Sequence, residues 1–435
     1  MTAAVTHSQT TSNLPKEQPR RYELDWLRAF VVLGLIPIHA AVIFSTTADV
    51  FVKNAQTSTF MSILGVFAGT WGMPLLFIVA GASACFALQH RSAGGYLSER
   101  VRRLVVPFVF ATLTLIPIQV YGVLANNPTA SRAVGLPIHD PHFTRSPIAF
   151  YLEYLRGYGY FLTHFTPSLV IVFWGHLWFI PRLIAYALLT LPLFLYLRGK
   201  RGQKVVAAVG RFLSRPGLIF LPAVPLALVE MSLRPGWMAR LSAHWPIYDD
   251  WVQFAFFLLY FIFGYVLYAD WHLLTSVRRH GWIALALGVV GFAFALTRSE
   301  TLTTTALNYS LGYIGGVPVR SFVSWFWVVA ILAFSMSFLA FTNKLLRYLN
   351  EAAYPIYVIH MPIVTVIGVY VVRLDINLYA KFVIIIALAL TLALVAFEYL
   401  IRRIRVLRVL FGLKPSGPIG APYHTTTSTG ALTQG

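Results

Sequence analysis

A chain of 435 residues that is 58% hydrophobic and 11% charged, with a mean hydropathy of +0.70, has too little polar surface for a water-soluble globule. Its net charge of +19 is scattered as short clusters between apolar runs, which argues against a nucleic-acid binder and for membrane orientation. The single cysteine, Cys85, follows Gly81, Ala82 and Ser83; it excludes an intramolecular disulfide and reads as a small buried apolar residue.

Residues 1–21 are polar and rich in Ser, Thr and Gln, the composition of a disordered tail. No convincing cleavage site follows, so the first apolar run is expected to remain as a span. Windows of about twenty apolar residues predict spans at 24–45, 60–88, 103–125, 171–197, 217–232, 251–270, 281–298, 320–341, 355–372 and 379–401. Lys and Arg then divide about two to one in favour of the side that holds both termini. The expected fold is all-α, a polytopic membrane protein of about ten transmembrane helices with both termini cytoplasmic. A membrane domain over 22–413 contains a long outward segment at 126–170, and a Pro-, Gly- and Thr-rich tail at 414–435 is expected to be disordered.

The first run, YELDWLRAFVVLGLIPIHAAVIFS, carries Asp25, Arg28 and His39 in membrane-length apolar sequence. Ionisable groups there require a reason. On a helix, Arg28 and His39 share a face, about 16 Å apart along the axis. Asp25 lies one turn from Arg28 but roughly 21 Å from His39, too far to orient the imidazole. A cation that merely snorkels needs no such counter-ion. Pro37 cannot donate to the Leu33 carbonyl, so a kink and an adjoining cavity are expected beside His39. An imidazole in low dielectric favours its neutral form, the state a general base needs; the bland reading is a histidine satisfied by an interhelical hydrogen bond.

At the start of the third span, YLSERVRRLVVPF gathers Arg100, Arg102 and Arg103. They either set topology or, with Arg28, hold the phosphates of a nucleotide-type donor. The outward segment at 126–170 is rich in Tyr and Phe, which fits an interfacial helix or an aromatic wall for a sugar or lipid. GHLWFIPRL sets His176 and Trp178 near the outer end of the fourth span; aromatic-belt membership suits the tryptophan better than the histidine. YPIYVIHMP places Tyr354, Tyr357 and His360 at threes before Pro362. With its span starting at 355, His360 is expected in the cytoplasmic third, unable to share a small pocket with His176 unless helices are broken. Glu230 and Glu398 read as intramembrane or interface carboxylates. The sequence contains no internal repeat, P-loop, dinucleotide fingerprint or metal-spaced His/Cys cluster.

These blocks resemble the membrane acyltransferases of acyltransferase family three over nearly the whole membrane portion. The resemblance rests on LDWLR with Arg28 and, ten residues on, His39; on RVRRLVVP; on HLWFI; on NEAAYPIYVIHMP; and on the basic end RRIRVLRVLFGLKP. It implies a multi-pass enzyme of the inner (plasma) membrane. Such an enzyme moves a succinyl or acetyl group from cytosolic acyl-coenzyme A to a hydroxyl of an extracytoplasmic glycan or glycolipid, such as a periplasmic glucan. It implies His39 as base, with His176 or Trp178 as oxyanion donors, and no metal or nucleic acid. On the donor side it implies Arg28, Asp25, Arg100, Arg102, Arg103, Tyr357 and His360. A secondary transporter or flippase also accommodates intramembrane charges and broken helices, though no inverted repeat supports it. A sensor or scaffold without chemistry leaves the charges of the first span unexplained.

Overall fold

The structure is a computed structural model that describes residues 21–46, 51–127, 145–164, 175–233, 251–297 and 311–414. The expected terminal tails, apart from residue 21 and residue 414, and much of the outward segment lie outside the described residues. The helices, in chain order, are α1 (Tyr22–Ile43), α2 (Thr59–His90), α3 (Ala93–Asn126), α4 (Pro147–His164), α5 (Phe179–Leu189), α6 (Leu191–Arg198), α7 (Lys200–Leu213) and α8 (Ala223–Leu233). They continue with α9 (Trp251–Ala269), α10 (Trp271–Arg279), α11 (Gly281–Thr297), α12 (Leu311–Phe338), α13 (Lys344–Val371), α14 (Leu378–Val395) and α15 (Arg405–Leu410). A 3₁₀ turn over Gly175–Trp178 leads into α5, and a π-helical turn over Ala396–Ile401 extends α14.

Among the described residues seven helices are long and apolar enough to cross a membrane, or up to ten spans if each of three bent helix pairs is one crossing. The ten expected spans all find helices. The bends have legible causes. Thr190 joins α5 to α6 at 50°, with Pro192 in the first turn of α6. α7 turns 118° from the segment that includes α8. It buries only Gly202, Val206 and Gly210, four residues apart, and leaves Lys200, Arg201, Lys204 and Arg211 exposed. That is an interfacial amphipathic helix rather than half of a span.

The helix α13 is the centre of the bundle, with α1, α3 and α14 packed on it. From Ala352 to Pro362 every residue except Tyr354 is buried, so α13 is covered on all sides. α14 instead buries a single stripe at Lys381, Ile385, Ala389 and Ala393, and Val383, Leu388 and Leu392 face outward, where hydrocarbon is the natural solvent. The tightest crossing joins α2 and α9. A Cβ on Gly81 would strike the Phe261 carbonyl, and one on Gly264 the Ile78 carbonyl, so two backbones meet through glycines.

Candidate active site

The two central helices α1 and α13 run parallel and in register. Near their starts, Arg28 donates to the Asn350 side chain, 3.3 Å. Eleven residues further along α1 and ten along α13, the His39 and His360 rings lie 5.3 Å apart, centroid to centroid. The two helices therefore carry one polar station at each end of a stretch about 16 Å long.

At the first station Arg28 lies 3.8 Å from Asp25 and gives a second hydrogen bond to Ser83 Oγ of α2, 3.1 Å. Its side chain is 36% exposed and that of Asp25 only 14%, so the guanidinium stands at a mouth with its counter-ion tucked behind it. The pairing expected from the three-residue spacing is present. The third-helix arginines are at the same end. Gly412, at φ +73°, packs between the Arg103 carbonyl and the Tyr354 ring, and Tyr354 is one turn beyond Asn350. Arg103 and Arg91 share Glu99, Arg100 lies over the Tyr96 ring at 5.2 Å, and Arg102 is exposed.

At the second station three histidines converge. His176 is 4.9 Å from His360, centroid to centroid. The expectation that His360 occupies the cytoplasmic third, away from His176, is corrected. α13 begins at Lys344 rather than near residue 355, because Lys344, Arg347 and Glu351 interrupt the apolar run without interrupting the helix. Those eleven residues carry His360 about 16 Å deeper. The chain is also broken at the other partner, since His176 sits in the 3₁₀ turn before α5. His360, expected with the donor side, thus stands beside His39, about 15 Å along α13 from Asn350, and Tyr357, expected there too, lies about 10 Å from Asn350 with its ring 5.9 Å from that of His360.

Each histidine has a different set of partners. His176 gives Nε2–H to the Val358 carbonyl, 3.1 Å, and its Nδ1 lies 2.9 Å from the Gln119 carboxamide of α3. In a neutral ring that Nδ1 accepts, so the carboxamide presents its N–H there; the two ends of such a group are interchangeable by a flip. Tyr357 donates its hydroxyl to the His176 carbonyl, 2.7 Å, pinning the turn. Both ring nitrogens of His176, expected as an oxyanion donor, are engaged by protein groups. Trp178 stacks on Phe257 at 5.6 Å and under Arg182 at 4.6 Å.

His360 is fully buried and gives Nδ1–H to the Tyr357 carbonyl, 2.7 Å. Its Nε2 is buried without a partner among the described residues, and the same holds for His39 Nδ1. His39 nonetheless keeps part of its surface accessible. Room exists beside it. A Cβ on the buried Gly72 of α2 would meet nothing within 4 Å. Because Ser83 meets Arg28 and Gly65 faces Val42, the antiparallel register puts Gly72 opposite the Pro37 region.

The segment 51–58 closes the far side. The Phe51 ring is 6.1 Å from that of His39. Asn127 donates to the Phe51 carbonyl, 3.2 Å; Lys53 N–H donates to Asn126, 2.8 Å; and the buried Lys381 of α14 donates to Asn54, 3.1 Å, and to the Val372 carbonyl, 2.9 Å. Sequence reading missed Gln119, Ser83 and Asn350. Gln119 was findable as an uncharged polar residue in an otherwise apolar part of the third span.

A family model described as "Acyltransferase domain" matches residues 21–398. Among curated proteins, Glucans biosynthesis protein C of Escherichia coli (strain K12) is 22% identical over 412 residues, covering 92% of this chain and 96% of the relative. The proteins of that name from E. coli O81 (strain ED1a) and O157:H7 are also 22% identical, over 412 and 409 residues, with the same coverage. No solved structure matches.

Proposed function

Because the chain belongs to the acyltransferase family whose domain spans residues 21–398, a multi-pass membrane transferase, we propose that it is an O-acyltransferase fed by acyl-coenzyme A at the Arg28 mouth, with His39 as general base. The observation that carries this reading is the paired register of α1 and α13, with Arg28 and Asn350 at one end and His39 and His360 at the other. A donor with phosphates at a basic mouth and a long pantetheine arm matches two polar stations about 16 Å apart. Arg28, Arg102 and Arg103 supply phosphate-binding charge, and the space between Gly72 and the Pro37 region receives the thioester.

At the far station the acceptor hydroxyl approaches beneath Phe51. His39 takes the hydroxyl proton as oxygen attacks the thioester carbonyl. The O–H and C–S bonds break, the C–O ester bond forms, and the proton passes from the imidazolium to the departing coenzyme A thiolate. Excess Lys and Arg on the side of the Arg28 mouth supports its facing the cytoplasm, and both termini then lie there. The name carried by the relatives supports an envelope glucan as acceptor and the inner membrane as location. Succinyl and acetyl are the donors to try first.

The test is a vesicle assay with labelled succinyl- and acetyl-coenzyme A and crude envelope glycan. Label covalently joined to glycan by the wild type, and absent with His39→Ala at equal protein level, is the expected result. Movement of glycan or lipid across the membrane without a covalent product would mean a transporter and overturn the reading.

A further inference from the structure

We propose that His360 is the positioning residue for His39, accepting a hydrogen bond from His39 Nδ1–H on its own Nε2 and thereby directing His39 Nε2 at the acceptor hydroxyl. The inference rests on the reading of His39 as base and extends it. It starts from a shortage: a general base needs its second nitrogen held, and Asp25 lies about 21 Å away along α1. No carboxylate is paired with His39 among the described residues. The buried nitrogens without partners at this station are His39 Nδ1 and His360 Nε2.

The tautomers follow from the contacts. His360 donates Nδ1–H to the Tyr357 carbonyl, which can only accept. A neutral His360 therefore has a lone pair, not a hydrogen, on Nε2. If His39 also offered a lone pair at Nδ1, neighbouring rings would hold two buried acceptors and no donor for either, at a cost of about 1–3 kcal/mol each. A hydrogen on His39 Nδ1 satisfies both. As the rings stand the two nitrogens are not hydrogen-bonded to each other, but at a centroid separation of 5.3 Å a turn of the rings that points nitrogen at nitrogen brings them to roughly 3 Å, which is hydrogen-bond distance. His360 is itself held, since Tyr357 is tied through its hydroxyl to His176 and His176 through its ring to Val358 and Gln119.

During transfer the acceptor proton goes to His39 Nε2, the Nδ1–H bond to His360 shares the imidazolium charge, and the Nε2 proton leaves with the thiolate. No proton needs to move onto His360. Its function is the one an aspartate serves in a hydrolytic triad, performed by a neutral ring.

The experiment uses the full-length protein in vesicles with labelled succinyl-coenzyme A and envelope glycan, and ¹⁵N-histidine spectra of the same preparation. His360→Leu is expected to lower kcat about 10²-fold with donor KM unchanged. His360→Gln restores at least a tenth of wild-type activity, because its carboxamide oxygen reaches the place of the lost Nε2. The spectra show His39 as the Nδ1–H tautomer in the wild type and as the Nε2–H tautomer in His360→Leu. Equal activity in the Leu and Gln variants overturns the proposal. So does an Nε2–H tautomer at His39 in the wild type, a readout that needs no variant to fold. Turnover surviving in His39→Ala sinks the base reading instead, and the spectra still decide the pairing.

Discussion

The two polar stations on α1 differ in how fully they are satisfied. Arg28 has Asp25, Asn350 and Ser83 around it and a third of its side chain in the open. His39 has a buried nitrogen without a partner among the described residues, and its ring lies 5.3 Å from that of His360, which carries another such nitrogen, and 6.1 Å from that of Phe51. A charged group with its partners in place and a route to water can wait for a ligand at little cost. Buried polar atoms left unpaired are expensive, and a protein that keeps them has a use for them. The contrast fits the proposed reading, with binding at the first station and chemistry at the second.

The largest expected effect breaks the chemical station. His39→Ala should reduce kcat by about 10³-fold or more and leave donor KM within a few-fold of wild type, measured by label transfer at varied donor concentration. Equal loss in kcat and donor affinity would merge the two stations into one. Next is Arg28→Ala, which removes charge-assisted contacts worth about 2–3 kcal/mol. Donor KM should rise on the order of 10²-fold while kcat at saturation changes little.

The same contrast separates what the sequence disclosed from what it concealed. Asp25, Arg28 and His39 lie on one helix, so their spacing alone gave the ion pair and the distance between stations. Asn350 and Ser83 come from other helices, and the register between helices leaves no mark in a single sequence. His360 was misplaced because a hydropathy window ends where charges begin, and α13 runs eleven residues past that point through Lys344, Arg347 and Glu351. The 118° turn at α7 was hidden for a related reason: an interfacial amphipathic helix and a cytosolic loop are both rich in cations. The seven to ten candidate spans among the described residues were legible because length and apolarity are all a crossing needs.

A milder change tests whether the chemical station depends on its support. Gln119→Leu leaves His176 Nδ1 buried without its carboxamide partner, in a residue only 8% exposed. A lost buried hydrogen bond of this kind costs about 1–3 kcal/mol. Thermal stability in detergent should drop, and kcat should fall about tenfold as the turn that holds Tyr357 loosens, with donor KM unaffected. A rise in donor KM would mean that α3 serves both stations.

The smallest effect is expected at Ser83, and it sharpens the comparison from the satisfied side. Ser83 donates its hydroxyl hydrogen to the Val79 carbonyl, 2.7 Å, which turns its lone pairs toward Arg28. Ser83→Ala keeps the helix, since alanine suits a helix interior at least as well and the Val79 carbonyl needs no second donor. Arg28 loses one of its acceptors. Being partly exposed, the guanidinium recovers that bond from water, so the net cost is about 0.5–1 kcal/mol and donor KM should rise roughly two- to fivefold with kcat unchanged. The buried nitrogens at the other station have no such recourse. If Ser83→Ala proved as damaging as Gln119→Leu, the Arg28 station would be as dry as the histidine cluster, and a phosphate-bearing donor would have no wet mouth through which to enter.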